Sequence, residues 1–149
     1  MKLNYNDYLE ASAVRIETAR RLHRIERYSA AIYFAGVSIE CLLRAFIVRN
    51  NPQFDQRHDL RELCKKAQLQ ALIHPADRRK ADAWLGEVWT RWKNNYRFAS
   101  DDRIRFEFKK LGHDRGIKGN FLKENSRVVV EAAYQLRTLG EKRWHSKKT

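Results

Sequence analysis

The sequence predicts an all-α protein, a bundle of four to five helices with an irregular segment before the last one. Apolar residues recur at three- and four-residue steps through most of the chain, the spacing of helices that bury one face. The only 2 prolines, Pro52 and Pro75, follow periodic stretches without breaking them. The 149 residues are 43% hydrophobic, which suits one domain with one sizeable core, and residues 1–149 are read as that single domain.

The first helix is expected over residues 7–24, where Leu9, Ala13, Ile16 and Ala19 share a face and Arg15, Glu17, Arg20 and Arg21 take the others. Residues 28–48 are the richest segment and should form the central helix. Ile32, Ala35, Ile39, Leu42, Leu43 and Phe46 make a broad apolar face, and Ala31, Ala35 and Gly36 leave room for a neighbour to approach closely or, at Gly36, for a small bend. Asn50, Asn51 and Pro52 stop the pattern with turn-forming side chains and a missing N–H. Asp59 and Glu62 then have the spacing of a capping box ahead of a short helix through Leu60, Leu63, Cys64 and Ala67. His74 and Pro75 suit the start of another, because proline is tolerated in a first helical turn.

Over residues 76–98, Leu85, Val88, Trp89, Trp92 and Tyr96 form an aromatic-rich face with Trp84 beside it. Core packing is the plain reading of that face, and stacking on nucleic-acid bases is the sharper alternative. Residues 99–120 read as a long loop with a brief extended piece, because the run from Ile104 to Lys109 partly alternates and Gly112, Gly116 and Gly119 punctuate the stretch after it. Phe106 and Phe108 would pin this loop to the core. Leu122, Val129, Ala133, Leu136 and Leu139 define a last helix, with a basic tail from about Lys142 that Trp144 anchors at its base.

Lys and Arg number 31 against 18 Asp and Glu, a formal charge of +13. Charge of that density raises the local concentration of polyanions and makes their binding salt-dependent, without distinguishing RNA from DNA, an anionic membrane or an acidic protein. No apolar signal core follows Met1, and the most apolar stretch, residues 30–37, falls well short of the roughly 20 residues of a membrane span. A cytoplasmic protein with no membrane partner is the expectation. Cys41 and Cys64 have no close Cys or His companion and are read as reduced core thiols, and no metal or cofactor is implied.

Phosphate-loop, dinucleotide-binding and metalloprotease patterns are all missing. There remains a group of cations late in the chain. Arg97, Arg103 and Arg105 are candidates to hold phosphate through charge-assisted hydrogen bonds, with Lys109 and Lys110 extending the same RNA-binding surface. Metal-free RNA cleavage needs proton transfer to and from the sugar oxygens and stabilisation of charge at phosphorus. His113, set between Gly112 and Gly116, is the candidate acid or base, with Arg97 and Arg105 as its catalytic companions. Solvated arginines and ordinary loop residues are the plain alternative. Glu40 and Arg44, four apart on the most apolar helix, suit an internal or interface pair, and His58 and Asp59 suit a structural helix start or a recognition surface.

The aromatic-small-glycine helix of residues 28–45, with Tyr33, Phe34, Ala35, Gly36 and then Glu40, followed by Arg57-His58-Asp59-Leu60-Arg61-Glu62-Leu63, resembles the HEPN family of higher eukaryotes and prokaryotes. The resemblance covers about residues 9–139 and is distinctive over 28–63. It implies a four- or five-helix fold and a prokaryotic toxin–antitoxin or defence setting, often with metal-independent RNase activity. The partners it implies are RNA, a second copy of the chain in a dimer, and a nucleotidyltransferase-like antitoxin. The family's nuclease motif is Arg, a polar residue, and His after four to six intervening positions. Here Arg97 has no His at that distance, seven residues separate Arg105 from His113, Arg15 lies too far before His23, and Arg20 and Arg21 lie too close to it. That departure favours an RNA-binding or partner-binding member. The alternative reading is a non-enzymatic assembly subunit that binds an acidic or nucleotidyltransferase-like protein.

Overall fold

A computed structural model describes residues 1–54, 59–67 and 73–146. Its helices are α1 (Tyr5–Arg24), α2 (Tyr28–Asn50), α3 (Leu60–Ala67), α4 (Pro75–Trp89), α5 (Asp101–Lys110) and α6 (Phe121–Ser146), with a 3₁₀ turn at Asn94–Phe98. The fold is all-α, but six α-helices among the described residues replace the expected four to five.

One local effect accounts for the added helix, and a second shortens α4. Residues 99–120 are not one long loop, because α5 occupies half of them. Ser100 caps it by accepting a hydrogen bond from the Arg103 N–H at 3.2 Å, Asp101 and Asp102 lie in its first turn, and Lys109 and Lys110 close it, so charges match the helix dipole at both ends. Its buried residues are Ile104 and Phe108, four apart, whereas Phe106 is 58% exposed. The apparent alternation came from Phe106, an aromatic on the solvent side, and only Phe108 pins the segment to the core. The aromatic face of 76–98 is likewise split: the Thr90 hydroxyl donates to the Gly86 carbonyl at 2.7 Å at the end of α4, and the chain resumes as the 3₁₀ turn.

Caps define the other starts. Asn4 forms a full capping box with Asp7, its side chain accepting from Asn6 and Asp7 while its own N–H donates to Asp7 Oδ2. Asp59 Oδ1 accepts the Glu62 N–H at 2.8 Å ahead of α3, and His74 Nδ1 accepts the Ala76 N–H at 3.1 Å ahead of α4. The α1–α2 turn is closed by Arg27 N–H to Leu22 O at 2.8 Å and Glu26 N–H to His23 O at 3.1 Å, a Schellman motif in which Glu26 takes the left-handed conformation at φ 64°.

Helix α2 is the central element, packed by α1, α3, α6 and the 3₁₀ turn. At 23 residues it is longer than the apolar stretch 30–37 suggests, and by length and composition alone it could cross a membrane, yet 67% of its most apolar window is buried inside the bundle. Its apolar faces are therefore spent on neighbouring helices. Gly140 of α6 meets it where a β-carbon would lie 2.7 Å from Leu42 Cδ2. Residues 142–146 continue α6 rather than leaving it. Trp144 is fully buried, edge-on to Phe46 with ring centres 5.1 Å apart and covered by the Arg49 guanidinium at 3.6 Å.

Candidate functional site

The 3₁₀ turn is a ridge between two clefts of the surface. It is held down by two buried aromatics. Trp92 donates its indole N–H to the Tyr33 carbonyl at 3.0 Å and lies against Gly36, while Tyr96 packs edge-on to Phe108 at 6.3 Å. With those two turned inward, Lys93, Asn94 and Arg97 face outward along the edge of α2.

One cleft, of about 660 Å³, is walled by Glu40 and Arg44 of α2, Asp59, Leu60 and Arg61 at the start of α3, Trp89 at the end of α4, and Trp92, Lys93, Asn94 and Arg97 at and just before the 3₁₀ turn. That volume suits a nucleotide-sized ligand. Four cations face two carboxylates there. Arg44 pairs with Glu40 at 3.5 Å, and Asp59 is engaged by the Glu62 N–H. Lys93 lies 3.9 Å from Glu107. Arg61 stacks its guanidinium over the Trp89 ring at 4.4 Å, and Arg97 lies over the Phe98 ring at 4.6 Å; neither meets a carboxylate among the described residues. Phe98 itself is 78% exposed.

A second cleft of about 620 Å³ lies on the other side of Arg97, walled by Tyr33, Phe34 and Val37 of α2, Arg15 of α1, and Tyr96 to Asp101 in part. Asp101 closes its rim through a short hydrogen bond from the Ser29 hydroxyl. Arg97 lines both clefts.

Of the residues expected from the sequence, Glu40, Arg44, Asp59 and Arg97 are brought together in the first cleft. His58 lies outside the described residues. Arg103 pairs with Glu107 at 3.3 Å and lies over Phe106, Arg105 pairs with Asp102 at 3.2 Å, and Lys109 lies 5.9 Å from the Phe121 ring centre. Arg103 and Arg105, two apart on a helix, point to different sides of it. Neither lines the clefts that Arg97 lines, and nor do Lys109 and Lys110.

His113 is also placed elsewhere. Its Nε2 is 3.3 Å from the Thr90 carbonyl, its ring packs edge-on to Phe108 at 5.2 Å, and its own carbonyl accepts from Asn125 Nδ2 at 2.9 Å. The buried Asn125 also accepts from Arg91 Nε at 2.8 Å. Burial, and then the Arg91 charge, push the His113 pKa below its ordinary value. The ring thus clasps the end of α5 to the end of α4. His23 borders a basic groove, beside Arg20, Arg24 and Arg127, with Nδ1 2.8 Å from Ser126 Oγ. Its pKa is also lowered, chiefly by burial and then by Lys123 and Arg127.

Burial raises both thiols, Cys41 and Cys64, to about 11, so they remain un-ionised packing groups. Among the described residues no three His, Cys, Asp or Glu side chains gather into a metal-binding group. Arg61, Lys93 and Asn94 escaped the sequence reading, and Trp89 entered it only as one member of the aromatic face. For Trp89, Lys93 and Asn94 the signal is the interleaving of Trp89, Arg91, Trp92, Lys93, Tyr96 and Arg97, basic and aromatic residues in one short run broken by Asn94 and Asn95, whereas Arg61 lies outside that run.

Comparison with protein families matches residues 5–134 to the HEPN domain. No curated protein and no solved structure matches the chain.

Proposed function

Because the chain belongs to the HEPN domain family, we propose that it is an RNA-binding subunit that holds single-stranded RNA in the cleft between Trp89 and Arg97. One observation carries the reading: an indole already covered by a planar cation, Arg61, shares its cleft with Arg97, an arginine with no carboxylate partner among the described residues. A base is planar and can take the place of the guanidinium on Trp89, which frees Arg61 to join Arg97 and Lys93 on the flanking phosphates. The net charge of +13 supplies the long-range attraction. Glu40 and Asp59 give the cleft acceptors for base N–H groups. Single strands are favoured over duplex because stacking on Trp89 requires an unpaired base face.

The test is binding of a labelled single-stranded RNA, followed by fluorescence anisotropy at fixed salt. Trp89→Ala and Arg97→Ala should each weaken binding about tenfold, as loss of one stacked base or one charge-assisted contact does. Lys110→Ala, outside the cleft, should leave it nearly unchanged. Equal affinity in all four proteins would overturn the reading.

A second reading, an assembly subunit for an acidic or nucleotidyltransferase-like protein of a toxin–antitoxin or defence system, is favoured by a different observation. Phe98 and Phe106 are 78% and 58% exposed on the surface near the ridge. Exposed aromatics of that kind are typical anchors of protein interfaces. Under this reading Phe106→Ser abolishes partner capture and leaves RNA binding intact.

A further inference from the structure

We propose that the second cleft, walled by Arg15, Tyr33, Phe34 and Tyr96, binds the neighbouring nucleoside of the same RNA strand, with Arg97 on the phosphodiester between the two. The proposal rests on the reading of the Trp89 cleft as an RNA site and adds a substrate class to it: a single strand of at least two nucleotides laid across the ridge.

Three features of the second cleft support this. Its volume, about 620 Å³, nearly equals that of the first at about 660 Å³, and both lie in the range of small-molecule sites, with room for a nucleoside. Its walls hold half-buried Tyr33 and Phe34, edge-on to each other at 5.5 Å, which offer aromatic surface to a second base. Its lining also holds two cations, Arg97 and Arg15, each without a carboxylate partner among the described residues. Each cleft thus combines aromatic surface with an arginine, the pairing that a base and its phosphate require, and Arg97 is common to both.

Tyr96, only 6% exposed, also lines this cleft. The one carboxylate on the rim, Asp101, is engaged by the Ser29 hydroxyl and sits in the first turn of α5, where the helix end offsets its charge. An acidic peptide is the competing occupant, but a peptide backbone offers no regular alternation of planar rings and anions.

The experiment compares three ligands on the full chain by calorimetry: a nucleoside 5′-monophosphate, a dinucleotide with a 5′-phosphate, and a decanucleotide RNA of mixed sequence. The dinucleotide should bind about tenfold more tightly than the mononucleotide, the gain expected from one further stacked base. Arg15→Ala and Phe34→Leu should remove most of that gain and leave mononucleotide affinity unchanged, whereas Trp89→Ala should weaken all three ligands. Far-UV circular dichroism and a thermal melt identify any variant that fails to fold, and Arg15→Lys then serves as the milder substitution, keeping the charge and most of the gain. If RNA of every length fails to bind, the reading of the first cleft falls with it. If RNA binds through Trp89 but gains nothing from the second nucleotide, or ignores Arg15 and Phe34, the second cleft is not a nucleoside site. If Phe34→Leu instead changes the oligomeric state at unaltered RNA affinity, the cleft is a protein contact and the proposal is overturned.

Discussion

The indole of Trp92 occupies the space that a β-carbon on Gly36 would need, with Trp92 Cδ1 only 2.1 Å from that position. This contact seats the 3₁₀ ridge against α2 and so sets how far Arg97 stands from Glu40 and Arg44 across the cleft. Gly36→Ala should force the ring away and destabilise the fold by about 3 kcal/mol, the upper part of the usual range for overpacking. Urea denaturation measures the change. Because the displaced ring carries the ridge, RNA affinity should fall together with stability. A change below about 0.5 kcal/mol would mean that the indole has room to slide.

Glu26 offers the opposite sign. It occupies the left-handed position that closes α1, where a side chain costs roughly 1–2 kcal/mol relative to glycine. Glu26→Gly should raise stability by about 1 kcal/mol, the relief being partly offset by the greater freedom of glycine in the unfolded chain. The residue is exposed and lies outside both clefts, so RNA affinity should not change.

Two histidines among the described residues contribute to the pH dependence of stability. His23 and His113 both have pKa values lowered from the ordinary 6.5, chiefly by burial, so the native state binds protons less readily than the unfolded chain does. Wherever the unfolded state carries more protons, stability rises with pH. Their contribution is therefore complete above the unfolded value near 6.5 and is lost as pH falls from there towards the folded values. Urea midpoints should drop between pH 7.5 and pH 5.5. In His23→Gln/His113→Gln that drop should shrink, and a wild-type midpoint flat over this window would refute the assignment.

The sequence made the helices readable because their signals are local. The cap at Asp59, the proline start at Pro75 and the apolar face of α2 depend on neighbours within one or two turns. α5 was hidden for the same reason, since Ile104 and Phe108 carry a helical spacing that the exposed Phe106 turns into apparent alternation. The site was legible only in part. Glu40, Arg44, Asp59 and Arg97 were each singled out, but their convergence depends on Trp92 crossing to Gly36, a contact between distant parts of the chain with no periodic trace. His113 stood out through its flanking glycines, and nothing local says that its ring is claimed by Thr90 and Phe108.

The salt dependence of RNA binding separates a built track from a diffuse basic surface. On the two-cleft reading the strand meets Arg15, Arg61, Lys93 and Arg97, about four cations, and each phosphate neutralised on a single strand contributes roughly 0.7 to the slope of log affinity against log salt. The wild-type slope should be roughly −2.8 on that basis. Arg97→Ala should make it shallower by about 0.7, and Lys110→Ala should leave it unchanged. If the 31 Lys and Arg instead act as an undirected cloud, the slope will be steeper, and removing Arg97 or Lys110 will alter it equally. The comparison between these two substitutions is the decisive one, because both remove one charge and only one of them lines a cleft.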